Sequence, residues 1–365
     1  MLMAALICLV PALVSWFHAM TVPSNSSVSI RTVEWLRDNG ARGLVNKVES
    51  IYYSLTAPPT GGPGLKALPG QPNAIAAARV ASARYARLHY RPRNLTPVIQ
   101  PALPGEGVWR ATFAPSVANP PILVTSFRPD PNYPRLVAGV AWINHNRTST
   151  WLYPGRQEPS LSLPARGPEE VPVRLRDRLV ATFNSGFKIK DAKGAFYENG
   201  HTVGTLTPGA ASVVVYKDGH TDVGAWGTEV TMTPDVVSVR QSLKLLVDNG
   251  QLAPNLNANV QSNWGATISG AFYVWRSGLG VTASGDLVYV AGNALSVSTL
   301  ATLLQKAGAV RAMQLDINVA WISFMWYTPG ATPTTPVPKK LVSFQRPVNR
   351  YFTPTSRDFF AVYAR

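Results

Sequence analysis

Residues 296–316 decide the fold and read SVSTLATLLQKAGAVRAMQLD. The serine that opens this stretch is a residue type that caps helices, and Gly308 is one that ends them. The leucines between them recur at positions i, i+3 and i+4, which predicts a helix over 297–307 with one apolar face in the core. The residues 310–315 then predict a strand that ends at Asp316. Side chains at strand ends emerge into clefts, so Asp316 becomes the first candidate functional residue.

The sequence before this helix–strand unit predicts further strands. An Asp-Gly turn joins 212–216 to 221–224, which is a strong hairpin signal, and a second hairpin pairs 278–282 with 287–290. We therefore predict the α+β class, with a strand-rich mixed sheet domain and a few packed helices, preceded by an N-terminal transmembrane helix. Three more short apolar runs bounded by Pro, Asn or Gly fit strands, at 122–127, 136–143 and 179–183.

The transmembrane prediction concerns residues 1–20, which carry no charged side chain. About twenty apolar residues span the core of a bilayer. The end of the segment, 17–20, lacks the small residues of a signal-peptide cleavage site, which favours an uncleaved single-pass anchor; a buried core helix is the alternative. Arg31, Arg37 and Arg42 follow it, and by the positive-inside rule alone the rest of the chain would be cytoplasmic. The envelope-like character of the remaining sequence points instead to an extracytoplasmic domain, so the orientation stays open.

Residues 21–106 predict a juxtamembrane helical and Pro-rich linker region. Within it, 29–40 predicts a short amphipathic helix capped by Ser29, whose apolar side could lie at a lipid surface or pack on the domain. Residues 74–87 suit a basic helix, and several prolines before residue 106 indicate an extended linker. The main domain is therefore placed at 107–365.

Composition narrows the classes of function. The 365 residues include 34 Lys and Arg against 19 Asp and Glu, a net charge of +15, with one Cys and five His. A single Cys excludes an internal disulfide and multi-cysteine metal sites, and without an HExxH motif a zincin is excluded as well. The basic excess is spread along the chain, whereas nucleic-acid-binding proteins concentrate it on one patch. This distribution favours an anionic surface or glycopolymer as partner and argues against nucleic acid.

Three short motifs place polar side chains where the predicted strands end or turn, and no GxSxG, Walker A or GxGxxG motif occurs. A guanidinium binds phosphate in bidentate fashion, a carboxylate serves as nucleophile or base at a sugar carbon, and an amide binds hydroxyls without adding charge. Structural roles stay open for Asn184 as a turn residue, Arg276 as an ion-pair residue and Asp316 as the cap of the next turn. The residues of the motifs are Asn184, Ser185, Gly186, Arg276, Ser277, Asp316 and Asn318.

The order of these motifs resembles the phosphodiester glycosidase family. The turn Asn184–Phe187, the strand Arg276–Gly280 and the pair Leu315–Asp316 after a leucine-rich helix resemble the family's N-G-G-F-type turn, R-x-x-x-G strand and L-D-G-G-G-S turn. The resemblance is to a membrane-anchored branch of a kind seen in actinobacteria. In this chain Ile317 and Val319 stand in place of glycines in the last turn, and β-branched residues do not easily adopt positive φ.

The resemblance covers about 180–325 and implies an exported, membrane-anchored enzyme that hydrolyses a sugar-1-phosphodiester bond in an envelope glycan or glycopolymer. The lost glycines favour the alternative, a non-catalytic envelope module that binds an anionic glycopolymer; a structural partner without any ligand is a weaker third hypothesis. No cofactor is predicted, because no ligand spacing supports a divalent cation near Asp316. The implied roles are catalytic for Asp316 and Arg276, with Arg276 on the phosphate, and substrate-binding for Asn184, Ser185, Gly186, Ser277 and Asn318.

Overall fold

The computed structural model describes residues 2–55, 59–69, 91–112, 119–159, 167–258, 260–267 and 270–365. The basic helix predicted over 74–87 lies outside these residues. Three β-sheets form most of the described structure. The largest has eight strands, which are, in spatial order, β1 (Arg110–Ala111), β2 (Ile122–Phe127), β3 (Ala138–Ile143), β14 (Leu287–Leu295), β13 (Val274–Thr282), β15 (Ala309–Gln314), β11 (Leu245–Asp248) and β12 (Gln251–Leu252).

The other two sheets have five strands each. One consists of β7 (His201–Gly204), β6 (Ala195–Glu198), β10 (Val236–Gln241), β8 (Ala211–Tyr216) and β9 (Thr221–Ala225). The other consists of β17 (Val337–Lys340), β16 (Phe324–Thr328), β5 (Leu179–Asn184), β18 (Phe359–Ala364) and β4 (Thr148–Tyr153).

Every pairing between these strands is antiparallel. The domain is strand-rich and α+β, as the sequence predicts, but its sheets are antiparallel rather than mixed. Short turns join many neighbouring strands, for example β8 to β9 and β13 to β14, and a tight turn can only connect antiparallel neighbours. These neighbouring strands therefore do not need the long crossover connections that join parallel strands.

Six α-helices accompany the sheets in the described residues. Helix α6 (Val297–Lys306) packs on the large sheet, and it begins one residue after Ser296, whose hydroxyl accepts a hydrogen bond from the N–H of Thr299 at 3.0 Å. Two short 3-10 helices, Val173–Arg178 and Arg350–Phe352, precede β5 and β18. The α-helices are α1 (Leu2–Thr21), α2 (Val28–Asp38), α3 (Arg42–Leu55), α4 (Ile189–Ala192), α5 (Gln261–Trp264) and α6 (Val297–Lys306).

The large sheet is buried on both faces. In β14, Leu287, Tyr289 and Ala291 join the apolar core shared with the two five-stranded sheets, whereas Val288 and Val290 join the core formed with α6. Alternate residues of a strand point to opposite faces, so one strand contributes to two cores. This arrangement explains why its sequence is an almost continuous apolar run, and it fixes the register of the sheet.

The central elements lie close to their predicted positions. Helix α6 matches the predicted 297–307, and both predicted hairpins form, as β8 with β9 and as β13 with β14. The predicted helix at 29–40 forms as α2, but its cap is Ser27 rather than Ser29, because the hydroxyl of Ser27 accepts from the N–H of Ile30 at 3.3 Å.

Helix α1 covers most of the segment that was predicted to cross a membrane. Among the residues that the structure describes, no helix combines the length and the apolar character that a membrane span needs. This finding does not support the predicted transmembrane helix, whose first nine side chains lie outside the described set. The described part of α1 contacts α2 through polar atoms: the indole N–H of Trp16 donates to Thr32 at 3.0 Å, and that of Trp35 donates to Ser15 at 3.1 Å.

Candidate active site

A cavity of about 800 Å³ opens between helices α2 and α3 and the ends of several strands. Asp316 follows β15 and Arg357 precedes β18, and both are buried, so they form the inner end of the cavity. Arg42 of α3 is exposed and lies at its mouth. The cavity thus joins the N-terminal helices to the sheet domain, and it contains the carboxylate that the sequence singles out.

Asp316 both closes a turn and faces the cavity. Its Oδ1 accepts hydrogen bonds from the backbone N–H groups of Ile317 and Asn318 at 2.7 and 2.9 Å. Its Oδ2 lies 3.4 Å from Nη2 of Arg357. The turn-capping hydrogen bonds and the contact with Arg357 are therefore made by different oxygens of the same side chain.

The surroundings of Asp316 change its acidity. Burial raises the pKa of its carboxyl from the ordinary 3.8 to about 6, because the charged form loses hydration. The guanidinium of Arg357 and the two turn N–H groups act in the opposite direction and limit this rise. A buried carboxylate that titrates near neutral pH inside a cavity is a physical mark of a general acid or base.

Arg357 is the cation at the inner end of the cavity. Its Nη2 donates to the carbonyl oxygen of Gly186 at 3.0 Å and also points at Asp316. Burial lowers the pKa of Arg357, but the nearby carboxylates of Asp316 and Asp358 outweigh this effect and raise it above its ordinary value. The side chain is therefore a permanent positive charge, and guanidinium groups bind phosphate oxygens well.

A chain of hydrogen bonds holds Asp316 in place. The amide of Asn184 donates to Oγ of Ser277 at 3.0 Å, and the N–H of Asp316 donates to the same oxygen at 3.3 Å. Asn184 is itself fixed, since its Oδ1 accepts from the hydroxyl of Tyr289 at 2.8 Å and from the N–H of Ser323 at 3.1 Å. The structure thus brings together three of the predicted site residues, with Asn184 and Ser277 positioning the backbone beneath the carboxylate.

The other predicted binding residues lie around this chain. Asn318 lines the cavity, and its side-chain oxygen accepts from the N–H of Ala320 at 2.9 Å. Ser185 is buried, and its hydroxyl has no hydrogen-bond partner in the described structure. At Gly186, an added Cβ would come within 3.1 Å of Cβ of Ser242, so glycine permits close packing at this turn.

Arg276 lies away from the cavity. Its guanidinium is fully buried and donates to the carbonyl oxygen of Leu295 and to Oε1 of Gln314, both at 2.8 Å. Burial lowers the pKa of Arg276 to about 10. Neighbouring residues of a strand face opposite sides, so Ser277 points toward Asn184 and the backbone of Asp316, whereas Arg276 points to the other face of the sheet. This placement favours a structural role and gives no direct support to the predicted contact with phosphate.

Sequence reasoning missed the charged residues that share the cavity with Asp316. Arg357 and Asp358 stand directly before the apolar strand β18, and this charged pair at a strand start was a usable signal. Glu34 of α2 and Lys188 also line the cavity and form an ion pair at 2.6 Å. Burial raises the pKa of Glu34, but Lys188 and the arginines nearby lower it below its ordinary value, so Glu34 is an anion.

An aromatic ring lies beside these charges. Trp321 is buried, lines the cavity, and has the guanidinium of Arg357 5.1 Å from its ring centroid. Arg346 and Arg350 lie 5.6 and 5.9 Å from the same ring. Among the described residues, no group of three or more His, Cys, Asp or Glu side chains is placed to hold a metal ion. The cavity therefore offers an anion-binding end with an aromatic wall.

Residues 176–316 match the sequence model of the phosphodiester glycosidase family. The match covers 141 of the 365 residues, so this part of the chain is similar to that family. The resemblance drawn from the order of the motifs is thus confirmed, and the matched residues of the phosphodiester glycosidase region include Asn184, Arg276 and Asp316. A search of curated proteins gave no significant match.

Three solved structures are similar to the chain. The zebrafish N-acetylglucosamine-1-phosphodiester alpha-N-acetylglucosaminidase catalytic domain, auto-inhibited by its pro-peptide, shares 16% identity at a TM-score of 0.45 over 70% of this chain and 87% of that one. A hypothetical protein from Synechocystis shares 14% identity at 0.38, over 68% and 63%. A protein of Burkholderia pseudomallei described as exported shares 12% at 0.39, over 64% and 75%.

Proposed function

We propose that the protein hydrolyses a sugar-1-phosphodiester, with Asp316 as the base and Arg357 as the phosphate-binding residue. The observation that carries this proposal is a buried carboxylate, its pKa raised to about 6, that shares a cavity with a buried guanidinium 3.4 Å away. The family whose sequence model matches residues 176–316 supports the reaction class. Because Arg276 lies behind the sheet layer, the proposal assigns the phosphate to Arg357 instead.

The proposed reaction needs only groups that line the cavity. Asp316 accepts a proton from a water molecule while the water oxygen forms a bond to the anomeric carbon of the sugar. The bond from that carbon to the phosphate oxygen breaks, and its electron pair leaves with the phosphate monoester. Arg357 contacts this phosphate and stabilises its charge. Phosphate monoesters are acidic leaving groups, so strong help from a general acid is less necessary.

Sugar release from a synthetic sugar-1-phosphodiester tests the proposal. The wild-type protein should release free sugar, and Asp316→Asn, which keeps the shape of the side chain, should lose at least about a hundredfold in rate, as is usual for a general base. Asp218→Asn is a matched control, since Asp218 is an exposed carboxylate with a side-chain exposure of 63%. No release by the wild-type protein, or equal release by Asp316→Asn, would overturn the proposal.

A non-catalytic module that binds an anionic glycopolymer is the second candidate. Its support is that both oxygens of Asp316 already have partners, namely two turn N–H groups and Arg357, as in a structural turn cap. This alternative expects salt-sensitive binding of the polymer that is unchanged by Asp316→Asn, together with no sugar release. The pair of measurements separates the two functions.

We also propose, from the apolar sequence 1–20, that the N-terminal helices hold the protein at a membrane surface outside the cytoplasm. The described part of α1 has a stripe of exposed apolar side chains that includes Leu13, Val14 and Phe17, which are 58–64% exposed. Such a stripe supports an interfacial position, in which one face of a helix lies among lipid headgroups. Sedimentation with anionic liposomes tests it: Leu13→Ser together with Phe17→Ser should release the protein, and retention would contradict this proposal.

A further inference from the structure

The mouth of the cavity carries positive charge that the proposed reaction does not use. Arg42 of α3, Lys193 after α4 and Lys244 after β10 line the cavity and are exposed. In the part of the chain that the structure describes, none of these three has a carboxylate oxygen within 4.0 Å. They come from three separate elements and converge on one opening.

The cations nearer the inner end differ, because they are already paired. Lys188 lies 2.6 Å from Glu34, and Arg37 lies 3.0 Å from the same carboxylate. Lys190 approaches Asp38 only to 3.8 Å, with both side chains about half exposed, so that pair contributes little. The positive charge without a carboxylate partner therefore lies at the mouth, separate from Arg357, which lies 3.4 Å from Asp316 at the inner end.

The volume of the cavity fits this separation. A cavity of about 800 Å³ lies in the upper part of the range of about 300–1,000 Å³ that small-molecule sites occupy. One sugar carrying one phosphate at the inner end leaves room for further units of the glycan toward the mouth. The lining also includes uncharged polar side chains, such as Thr207, Gln261 and Thr267, which are suited to sugar hydroxyls.

We propose that Arg42, Lys193 and Lys244 form a second phosphate subsite, so that the substrate is a polyanionic glycan with more than one phosphodiester. This inference rests on the proposed function and names its substrate class. The reacting diester lies against Arg357 and Asp316, and the next phosphate of the glycan lies at the mouth. Ammonium and guanidinium groups bind phosphate through charge-assisted hydrogen bonds, and exposed ones do so in a salt-dependent manner.

Two synthetic substrates with the same reacting diester test the second subsite. One has a neutral alcohol beyond the phosphate, and the other extends by one more sugar phosphodiester unit. For the wild-type protein at low salt, KM for the extended substrate should be about tenfold lower with kcat unchanged, and the advantage should shrink as salt rises. Lys193→Gln with Lys244→Gln should abolish the advantage. Lys217→Gln should keep it, since Lys217 is an exposed lysine with 63% side-chain exposure that does not line the cavity.

The outcomes separate this inference from the proposed reaction. Hydrolysis of both substrates with equal KM, or an advantage that survives in the double lysine variant, overturns the second subsite and leaves the reaction standing. If neither substrate is hydrolysed, the proposed reaction fails. Calorimetric binding of the two substrates to Asp316→Asn protein then decides the subsite alone: tighter binding of the extended substrate, lost in the lysine variants, supports it, and equal binding overturns it.

Discussion

The charge of Asp316 should make the stability of the protein depend on pH in a way that Asp316→Asn removes. The pKa of its carboxyl is about 6 in the folded chain against an ordinary value of 3.8. Each unit of pKa difference corresponds to about 1.4 kcal/mol, so ionising this group in the folded protein costs about 3 kcal/mol. The cost arises because the charged oxygen loses water that Arg357 and the turn N–H groups replace only in part.

The sign of the effect follows from proton linkage. A carboxyl whose folded pKa is raised holds its proton more tightly in the folded state, so its stabilising contribution is complete below about pH 4. That contribution is lost as the pH rises through the folded value near 6. The free energy of unfolding of the wild-type protein should therefore fall by about 2 kcal/mol, relative to Asp316→Asn, between pH 4 and pH 7.5, because part of the unfolded chain is already ionised at pH 4.

Urea denaturation of both proteins at four pH values from 4 to 7.5 measures this difference. Asparagine cannot ionise, and any constant effect of its amide on Arg357 or on the turn cancels when the differences are compared across pH. For a domain of about 250 residues, this difference corresponds to a relative Tm change of roughly 4–8 °C. If the difference in free energy of unfolding between the two proteins stays constant with pH, or changes in the opposite direction, the reasoning that burial raises the pKa of Asp316 is refuted.

Asp218→Asn is the control for this measurement. Slight burial raises the pKa of Asp218, but hydrogen bonds and the charge of His220 outweigh it and lower the pKa below its ordinary value. The sign of its linkage is therefore opposite: its stabilising contribution is present above the ordinary value and is lost as the pH falls. Because the side chain is 63% exposed, the change should be small.

Further predictions concern activity and packing. The kcat/KM for a sugar-1-phosphodiester should rise with pH through an apparent pKa near 6. Arg357→Gln should raise this apparent pKa by about 1–3, because the carboxylate loses its positive neighbour. A rate that does not change with pH would contradict the role of Asp316 as the base. Arg276→Met should lower the free energy of unfolding in urea by about 2–4 kcal/mol, because two buried oxygens lose their donor, whereas a surface arginine would change it by less than about 0.5. Leu300→Ala, in the fully buried face of α6, should lower the free energy of unfolding by about 2–5 kcal/mol in the same assay. Leu252→Ala, at a position on β12 that is 38% exposed, should change it little.

Local sequence signals predicted the central elements well. The helix α6 has its serine cap, its leucine face and its terminal glycine all within thirteen residues, and the Asp-Gly turn between β8 and β9 is equally local. Asp316 could be found for the same reason, since it directly follows the strand predicted over 310–315. By contrast, the face of β13 that lies next to Asp316 depends on how the three sheets pack, so the sequence did not show that Ser277 rather than Arg276 contacts that residue.

The remaining cavity residues depend on contacts between distant parts of the chain. Glu34 meets Lys188 across more than 150 positions, and Arg357 reaches Asp316 across 41. Neither pairing leaves a periodic pattern in the sequence, because each is made by one side chain at the end of an element. The sequence did not predict the antiparallel order of the sheets for the same reason, because strand neighbours such as β5 and β18 are adjacent only in space.

The loss of glycine after Asp316 has a consequence for how an anion must be bound. A glycine-rich turn can direct its backbone N–H groups at a ligand. Here Ile317 has a negative φ, and its N–H, with that of Asn318, is taken up by Oδ1 of Asp316. The backbone of this turn therefore has fewer donors to offer a phosphate, and the charge must come from side chains such as Arg357. Binding by side chains predicts that Arg357→Lys, which keeps the charge but loses the planar fork, weakens phosphate binding, whereas binding by the turn backbone would leave it unchanged.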